Sequence, residues 1–333
     1  MTEIVPGIYR LKIPMPERDI LLGYVNVYLL QGDNGYFLID TGWNIEEAFD
    51  SLKSQLAEIG IDFKDISQIV VTHIHSDHYG LAGRLKELSG AKIALHHLEK
   101  NLIDSRYINM DALLHQVAQW LHTNGVPDNS LSELQTASVG AARFVTPAMP
   151  DVTLSGGETL SNGSFSLKVL WTGGHSPGHI CLYEPSQKIL ISGDHILPTI
   201  TPNVGLHPQS GDNPLGDYIN SLNTVKLLDV NLILPGHENP FNGLQSRIEE
   251  LIQHHNQRNS EILEAIKAKP KTAYQIATEI TWVPNIPDVG WQELGPLDKR
   301  LAVLETAAHL ASMRVDGKTS KFTRDGVIYY QSP

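Results

Sequence analysis

Four side chains of the kinds that bind metal ions occur within six residues of the chain. His73, His75, Asp77 and His78 follow the apolar, β-branched run 69–71, which is typical of a buried strand. Neutral imidazoles and carboxylates are good ligands for Zn²⁺ and similar cations. On an extended backbone, His73 and His75 can project to the same side because they are two residues apart. Asp77 and His78 fall in the turn beyond, so one loop could serve two adjacent metal ions.

Three further apolar runs downstream each end in a glycine turn and a metal-type ligand. The candidates in these runs are His175 and His179 within 172–179, Asp194 and His195 after 191–193, and His237 after 233–236. Ligands at the ends of several strands can meet at one edge of a sheet. The pattern therefore indicates a single site built from distant parts of the chain.

The order of these motifs resembles the metallo-β-lactamase fold superfamily, whose signature is HxHxDH followed by a His, an Asp and a last His. All of these elements occur in order over about residues 5–245. The resemblance implies an α/β protein with the four-layer αββα fold, whose catalytic domain would span 1–245. It is specific for the fold and the metal site, but it does not select the substrate.

The resemblance also implies a role for each candidate side chain. The first of two divalent ions would be bound by His73, His75 and His175, the second by Asp77, His78 and His237, and Asp194 would bridge the two. Asp77 would also be catalytic, orienting a metal-bridging hydroxide and accepting its proton. The side chains expected to support the ligands without binding metal are Asp40, His179 and His195. Zn²⁺ is the expected metal, and Fe or Mn also suits such ligands.

Asp194 favours one branch of the superfamily. Metallo-β-lactamases proper generally carry Cys or Ser at this position, whereas an aspartate resembles the glyoxalase II-like and lactonase-like branch. His75 stands where flavodiiron relatives carry Glu, which argues against an oxygen reductase. We therefore expect a dinuclear metallo-hydrolase that cleaves a small ester, thioester or lactone.

Three other functions stay open from the sequence. Hydrolysis of RNA or another phosphodiester is the main alternative, since relatives with a C-terminal winged-helix-like module suggest it. Weak β-lactam hydrolysis is expected at most as a side activity. A metal-binding or nucleic-acid-binding regulator without catalysis is disfavoured, because a decayed site usually loses ligands and this set is complete.

The charge balance favours a small-molecule substrate. The chain of 333 residues is 41% hydrophobic and has a formal net charge of −12. Residues 1–245 hold 14 basic and 26 acidic side chains, and residues 246–333 hold 11 of each. Nucleic-acid binding normally relies on clustered Lys and Arg, so a nucleic-acid partner is not expected.

Several patterns favour a cytoplasmic location. No apolar run is long enough for a transmembrane helix, and the first residues lack the pattern of a signal peptide. Cys181 is the single cysteine, so no internal disulfide can form, which fits a reducing compartment. We expect neither a membrane partner nor a secreted protein.

Three segments outside the motifs are predicted to shape the pocket or to pack on it. Residues 98–149 depart from strand alternation and predict a helical insertion, either a lid or a packing layer. Residues 196–214 predict a long irregular loop near the metals. Residues 246–333 resemble a small winged-helix-like domain, with a linker at 284–296. Its largely apolar helix at 301–310 predicts packing, pocket closure or a homodimer rather than DNA reading.

Overall fold

The computed structural model describes residues 1–16, 23–137, 139–282 and 290–333. Within these residues the strands form a seven-stranded sheet, a five-stranded sheet and a C-terminal hairpin. The seven-stranded sheet runs in chain order through β1 (Thr2–Val5), β2 (Ile8–Pro14), β3 (Tyr24–Gly32), β4 (Gly35–Ile39), β5 (Ile66–Val70), β6 (Lys92–His96) and β7 (Val152–Leu154). The five-stranded sheet contains β8 (Thr159–Ser161), β9 (Ser166–Trp171), β10 (Ile180–Glu184), β11 (Ile189–Gly193) and β12 (Leu232–Pro235). The hairpin pairs β13 (Ser320–Arg324) with β14 (Val327–Gln331).

The helices flank the two sheets, fill the insertion and build most of the C-terminal segment. In chain order they are α1 (Glu46–Glu58), α2 (Ser76–Tyr79), α3 (Ala82–Ser89), α4 (His97–Lys100), α5 (Asp111–Thr123), α6 (Asp128–Thr136), α7 (Val139–Ala142), α8 (Pro214–Val225), α9 (Leu244–Ala265), α10 (Ala273–Ala277) and α11 (Pro296–Val315). A π-helical segment, Asp104–Ile108, precedes α5. In the described part of the chain, no helix combines the length and apolar character needed to cross a bilayer.

The buried apolar side chains separate four layers. Val70 of the first sheet and Ile180 of the second meet in the core between the sheets. Leu52 of α1 packs on the outer face of the first sheet, and Leu222 of α8 packs on the outer face of the second. Helix, sheet, sheet and helix therefore follow one another, which is the predicted αββα order.

Parallel pairing gathers the ends of distant strands into one region. β4 pairs with β5 and β11 pairs with β12, both in parallel, so the carboxyl ends of each pair lie side by side. Asp40 directly follows β4, and His73 follows β5 after two residues. Asp194 directly follows β11, and His237 comes after β12. The chain therefore delivers its candidate ligands to the same edge.

The predicted insertion and the C-terminal segment share an apolar core. Leu121 of α5, Leu134 of α6, Ala277 of α10 and Val303 of α11 are all buried there. Further along α11, Ala308 belongs to the core beneath the five-stranded sheet. Helix α11 therefore contacts both the insertion and the body that the two sheets form. The division at 245/246 and the winged-helix character of the C-terminal segment stay predictions.

The remaining segment predictions differ from the structure mainly at their boundaries. Apolar residues at helical spacing predict a helix over 246–268, and the structure has α9 there, beginning two residues earlier and ending three residues earlier. The predicted linker at 284–296 includes 284–289, which lie outside the described residues. Its described remainder contains the 3₁₀ turn Trp291–Glu293 and the first residue of α11. Helix ends depend on local capping, which spacing of apolar residues does not fix.

Candidate metal centre

His73, His75 and His175 bring three ring nitrogens together, each within 4.8 Å of the others. His73 and His75 lie beyond β5, and His175 lies beyond β9 in the other sheet. The Nε2 atoms of His73 and His175 each lie 3.0 Å from Nδ1 of His75. Three converging imidazoles are a common ligand set for a divalent metal ion.

Hydrogen bonds on the far side of two rings assign which nitrogens are free to bind. The Nδ1 of His175 donates to the Asn203 carbonyl oxygen at 2.8 Å, so its Nε2 carries a lone pair. The Nδ1 of His73 lies 3.1 Å from the Thr72 hydroxyl, which itself donates to Asp40. The Nε2 atom of His73 therefore also carries a lone pair. Two nitrogen lone pairs, those of His73 and His175, thus face the Nδ1 atom of His75.

The electrostatics of this first group favour neutral imidazoles. Burial, followed by the neighbouring imidazoles, holds the pKa of His73 and of His75 well below the usual 6.5. Burial also lowers the pKa of His175. Neutral imidazole is the form that binds a metal ion, so the three rings are ready to act as ligands near neutral pH.

A second group joins Asp77, His78, Asp194 and His237, whose ligand atoms all lie within 4.8 Å of one another. The Nδ1 of His78 is 2.7 Å from the Asp40 carboxylate, and the Nδ1 of His237 is 3.3 Å from a backbone carbonyl. Each ring therefore presents Nε2 to the group. The Nε2 of His237 lies 3.2 Å from Asp77 Oδ2 and 3.4 Å from Asp194 Oδ2.

The second group fits a divalent cation. The buried His78 Nε2 and Asp194 Oδ1 atoms are 3.3 Å apart, yet neither forms a hydrogen bond within the described residues. Buried polar atoms without partners are costly. A Cβ added at Gly236 would lie 2.4 Å from Asp194 Oδ1 and 2.8 Å from His78 Cε1. Glycine at this position leaves room around atoms that are otherwise unsatisfied.

Opposite charges dominate the second group despite its burial. Burial opposes ionisation of Asp77 and Asp194, but His78 and His237 hold the pKa of both carboxyl groups below the usual 3.8. In the same way, Asp194 and Asp77 overcome burial and raise the pKa of His237 to about 10. Divalent cations compete with protons for carboxylates and imidazoles. The ionised carboxylates of this group are therefore suitable ligands for a cation.

Asp194 lies between the two groups. Its Oδ2 atom is 3.4 Å from Nε2 of His237 in the second group and 3.7 Å from Nε2 of His175 in the first. The structure thus brings together all seven side chains predicted as ligands. The division of these ligands between two ions, and the bridging role of Asp194, stay predictions.

Of the three predicted supporting side chains, Asp40 contacts the most ligand-loop atoms. It has a left-handed backbone, with φ at 63°, and its carboxylate accepts the Thr72 backbone N–H at 2.7 Å. The same carboxylate contacts Nδ1 of His78. An unusual backbone conformation held by several contacts is typical of functional sites.

His179 and His195 lie behind the ligands and belong to neither group. The Nε2 of His179 accepts the backbone N–H of Asp194 at 3.1 Å, which fixes the start of the Asp194 loop. His195 packs its ring against Tyr218, with ring centroids 5.0 Å apart. Burial lowers the pKa of His195 to about 3. Four further histidines also lie outside both groups: His96, His97, His115 and His122.

Glu99 is a buried side chain near the site that sequence reasoning missed. Its carboxylate accepts the backbone N–H of Ile74 at 3.0 Å, the Ser176 hydroxyl at 2.6 Å and the backbone N–H of Gly178 at 2.6 Å. It therefore joins the loop of His73 and His75 to the loop of His175. In the sequence, Glu99 stands beside Lys100 on a short helix, and nothing there marks it as buried.

Comparisons with known proteins agree with this geometry. The family model described as the metallo-beta-lactamase superfamily matches residues 20–237. A probable metallo-hydrolase of Bacillus subtilis, YqjP, is 28% identical over 97% of each chain. The human acyl-coenzyme A thioesterase MBLAC2 is 29% identical over 65% of this chain and 74% of its own length. A metallo-beta-lactamase family protein from Thermus thermophilus superimposes with a TM-score of 0.83 at 30% identity, covering 99% of this chain and 100% of that one.

The predicted resemblance is thus confirmed by a family match across most of the first 240 residues and by the fold of the described residues. The two sheets and their flanking helices have the expected order. The His and Asp groups supply a site for divalent metal at the expected edge. The chain belongs to the metallo-β-lactamase superfamily and is a metallo-hydrolase of that family.

Proposed function

We propose that the chain is a dinuclear, Zn²⁺-dependent hydrolase of thioesters, with small esters and lactones as further substrates. One observation carries this proposal: two groups of ligand side chains adjoin each other, and Asp194 contacts both. Thioesters are placed first because a relative that is 29% identical over 65% of this chain is named an acyl-coenzyme A thioesterase. The overall reaction adds water to the thioester and gives a carboxylic acid and a thiol.

Each ligand would have a defined place. The first ion would be held by His73, His75 and His175, the second by Asp77, His78 and His237, and both by Asp194. When bound, two such ions polarise a carbonyl oxygen and make water more acidic. Asp40, His179 and Glu99 would keep the ligands in place through the hydrogen bonds described above.

Asp77 would be the residue that handles the proton. Its side chain is 15% exposed, whereas that of His78 is fully buried. His75 and His175 are also partly exposed, so the opening of the site lies on this side. A carboxylate at the opening can orient the water and accept one of its protons as the water adds to the thioester carbonyl, and this proton can then pass to the leaving thiolate.

The test compares the zinc-loaded protein with Asp194→Asn. The variant keeps the shape of the side chain but loses the negative charge next to both groups. We expect it to fold, to bind zinc more weakly and to lose at least about 100-fold in kcat/KM for a glutathione thioester, since changes behind the ligands alone cost 10–100-fold. Two quantities are measured for both proteins: the zinc content and the initial rate of hydrolysis. The substrates are a glutathione thioester, a lactone, an aryl ester and a phosphodiester.

The matched control is Asp50→Asn, which changes an exposed aspartate of α1 and should leave every rate unchanged. An Asp194→Asn variant with the wild-type rate at full zinc loading would rule out the role given to Asp194. A wild-type protein that cleaves the phosphodiester but none of the carbonyl substrates would replace the proposed function by phosphodiester hydrolysis.

A further inference from the structure

Three side chains that donate hydrogen bonds lie on elements that are tied to the ligand loop or to one another. They come from three different parts of the chain: Arg106 from the π-helical segment Asp104–Ile108, His207 from the loop after β11, and Arg300 from the first turns of α11. None of the three is a member of either ligand group. The roles proposed above for hydrolysis do not involve them.

Hydrogen bonds bring the three elements against one another. The Tyr107 hydroxyl donates to the Ile74 carbonyl, between His73 and His75, which fixes the π-helical segment on the ligand loop. The Gln209 side chain donates to the Ser105 hydroxyl at 3.0 Å, which ties the loop after β11 to that segment. The backbone N–H of Leu206 donates to the Leu304 carbonyl at 2.9 Å, which ties the same loop to α11.

The electrostatics follow from this proximity. Burial, then Arg106 and Arg300, lowers the pKa of His207 to about 3. Burial, then Arg106, lowers the pKa of Arg300 to about 10. The two guanidinium groups and the imidazole therefore lie near one another, on elements that hydrogen bonds connect to the ligand loop.

The hydrogen-bonding capacity of this cluster matches an anion. The Nδ1 of His207 accepts the backbone N–H of Gln209 at 3.2 Å, so the neutral ring carries its proton on Nε2 and can only donate there. Among the described residues, the Arg106 side chain has neither an ion-pair partner nor a hydrogen-bond partner, although it is partly buried. A guanidinium group binds phosphate or carboxylate through paired hydrogen bonds.

The negative net charge of the chain affects how an anionic substrate can bind. With a formal net charge of −12, the protein repels anionic substrates at long range. An anionic substrate therefore needs local donors close to the point of reaction. Arg106 precedes Tyr107, whose hydroxyl contacts the ligand loop, so the Arg106 guanidinium group is a candidate for such a donor.

We propose that Arg106, His207 and Arg300 form a subsite for an anionic group of the substrate, a phosphate or a carboxylate, while its thioester lies at the metal centre. This proposal rests on the proposed thioester hydrolysis and specifies which thioesters the site selects. Coenzyme A thioesters carry phosphates and glutathione thioesters carry carboxylates, so both present the required chemistry. Uncharged thioesters lack it.

The first experiment measures binding without turnover. Calorimetry on the zinc-loaded protein gives Kd for S-methyl-coenzyme A and for S-methylglutathione, two thioethers that cannot be hydrolysed and have no free thiol. Arg106→Gln should raise Kd for the preferred thioether by about 10-fold or more, because a hydrogen bond to a charged group contributes about 1.5–3 kcal/mol. Arg106→Lys should restore part of the loss. The thioether that responds identifies phosphate or carboxylate as the anion.

The second experiment measures kinetics on three thioesters with the same acyl group, carried by coenzyme A, by glutathione or by an uncharged aryl thiol. Arg106→Gln should raise KM for the anionic substrate by about 10-fold, with kcat and the uncharged substrate unchanged. Arg143→Gln, at an exposed arginine elsewhere in the insertion, is the matched control. His207→Gln provides a second variant should Arg106→Gln lose zinc or fold poorly.

The outcomes separate the two proposals. Unchanged Kd values in both Arg106→Gln and His207→Gln would overturn the subsite, and so would an equal loss on the uncharged thioester. If the wild-type protein hydrolyses none of the thioesters, the proposed function fails, while the thioether affinities still decide whether the anion subsite exists.

Discussion

At the residue scale, Glu305 shows how the C-terminal helix reaches the metal centre. The Asn203 side chain donates to Glu305 at 3.0 Å, and the Asn203 carbonyl accepts the Nδ1 proton of His175 at 2.8 Å. One residue therefore separates the carboxyl group from a proposed ligand. Burial raises the pKa of Glu305 to about 7, although Arg258 and Asn203 act in the opposite direction.

The raised pKa of Glu305 predicts how Glu305→Gln changes stability with pH. Between the ordinary value of 4.5 and about 7, the folded protein binds a proton that the unfolded chain has lost, so this group destabilises the fold as pH rises through that window. The penalty is complete above about pH 7 and absent below about pH 4.5. One pKa unit corresponds to about 1.36 kcal/mol. Glu305→Gln should therefore raise the free energy of unfolding by up to about 3 kcal/mol more at about pH 8 than at about pH 5.

Urea unfolding of Glu305→Gln and of the wild type at both pH values measures this difference. The exposed Glu264→Gln on α9, at a carboxylate with 72% side-chain exposure, is the control and should show no pH-dependent gain. Equal effects of Glu305→Gln at the two pH values would show that this carboxyl group titrates normally in the folded protein.

At the element scale, the short helix α4 fixes two ligand loops at once. It begins directly after β6, and the buried His96 accepts the Leu98 backbone N–H at its start. This places Glu99 at the point where the loop of His73 and His75 meets the loop of His175. Its carboxylate accepts three donors while fully buried. A buried carboxylate that accepts hydrogen bonds from two loops fixes the position of one loop relative to the other.

Glu99→Gln should therefore weaken zinc binding without touching a ligand. The amide keeps the size of the side chain but turns an N–H₂ group toward backbone or hydroxyl donors. We expect zinc affinity to fall by about 10–100-fold, the usual cost of a change behind metal ligands. Competition with a chelator measures the affinity, and the exposed Glu133→Gln on α6 is the control. Unchanged zinc affinity in Glu99→Gln would show that the two loops hold their positions without it.

At the scale of the whole molecule, the insertion and the C-terminal segment behave as one structural unit. Leu121, Leu134, Ala277 and Val303 come from both segments and fill one core. Helix α11 then continues to the core beneath the five-stranded sheet through Ala308. A shared core makes the stabilities of its parts interdependent.

Leu121→Ala should lower the free energy of unfolding by about 2–5 kcal/mol, the usual cost of emptying a buried leucine site. Because the core is shared, hydrogen exchange should speed up in α10 and α11 as well as in α5. Mass-resolved hydrogen exchange measures this, with the 85% exposed Leu227 changed to Ala as the control. Faster exchange confined to α5 would mean that the two segments are independently stable.

The sequence by itself determined the fold class and the identity of the candidate ligands. His73, His75, Asp77 and His78 follow a β-branched run, and such local patterns survive in any structure that buries the strand. The prediction of the superfamily is confirmed by the family match. The resemblance to the superfamily also implied the αββα order, and the structure has this order because each sheet and helix buries its apolar face.

Only the tertiary structure decided which distant groups meet. Glu99 joins loops that lie 25 and 77 residues away from it in sequence, and hydrogen bonds hold together the separate segments that carry Arg106, His207 and Arg300. Local spacing carries no information about such contacts, since a polar side chain on a short helix looks the same whether it is exposed or buried. Burial and long-range pairing are set by how the layers pack, and these two properties turn ordinary charged residues into parts of a site.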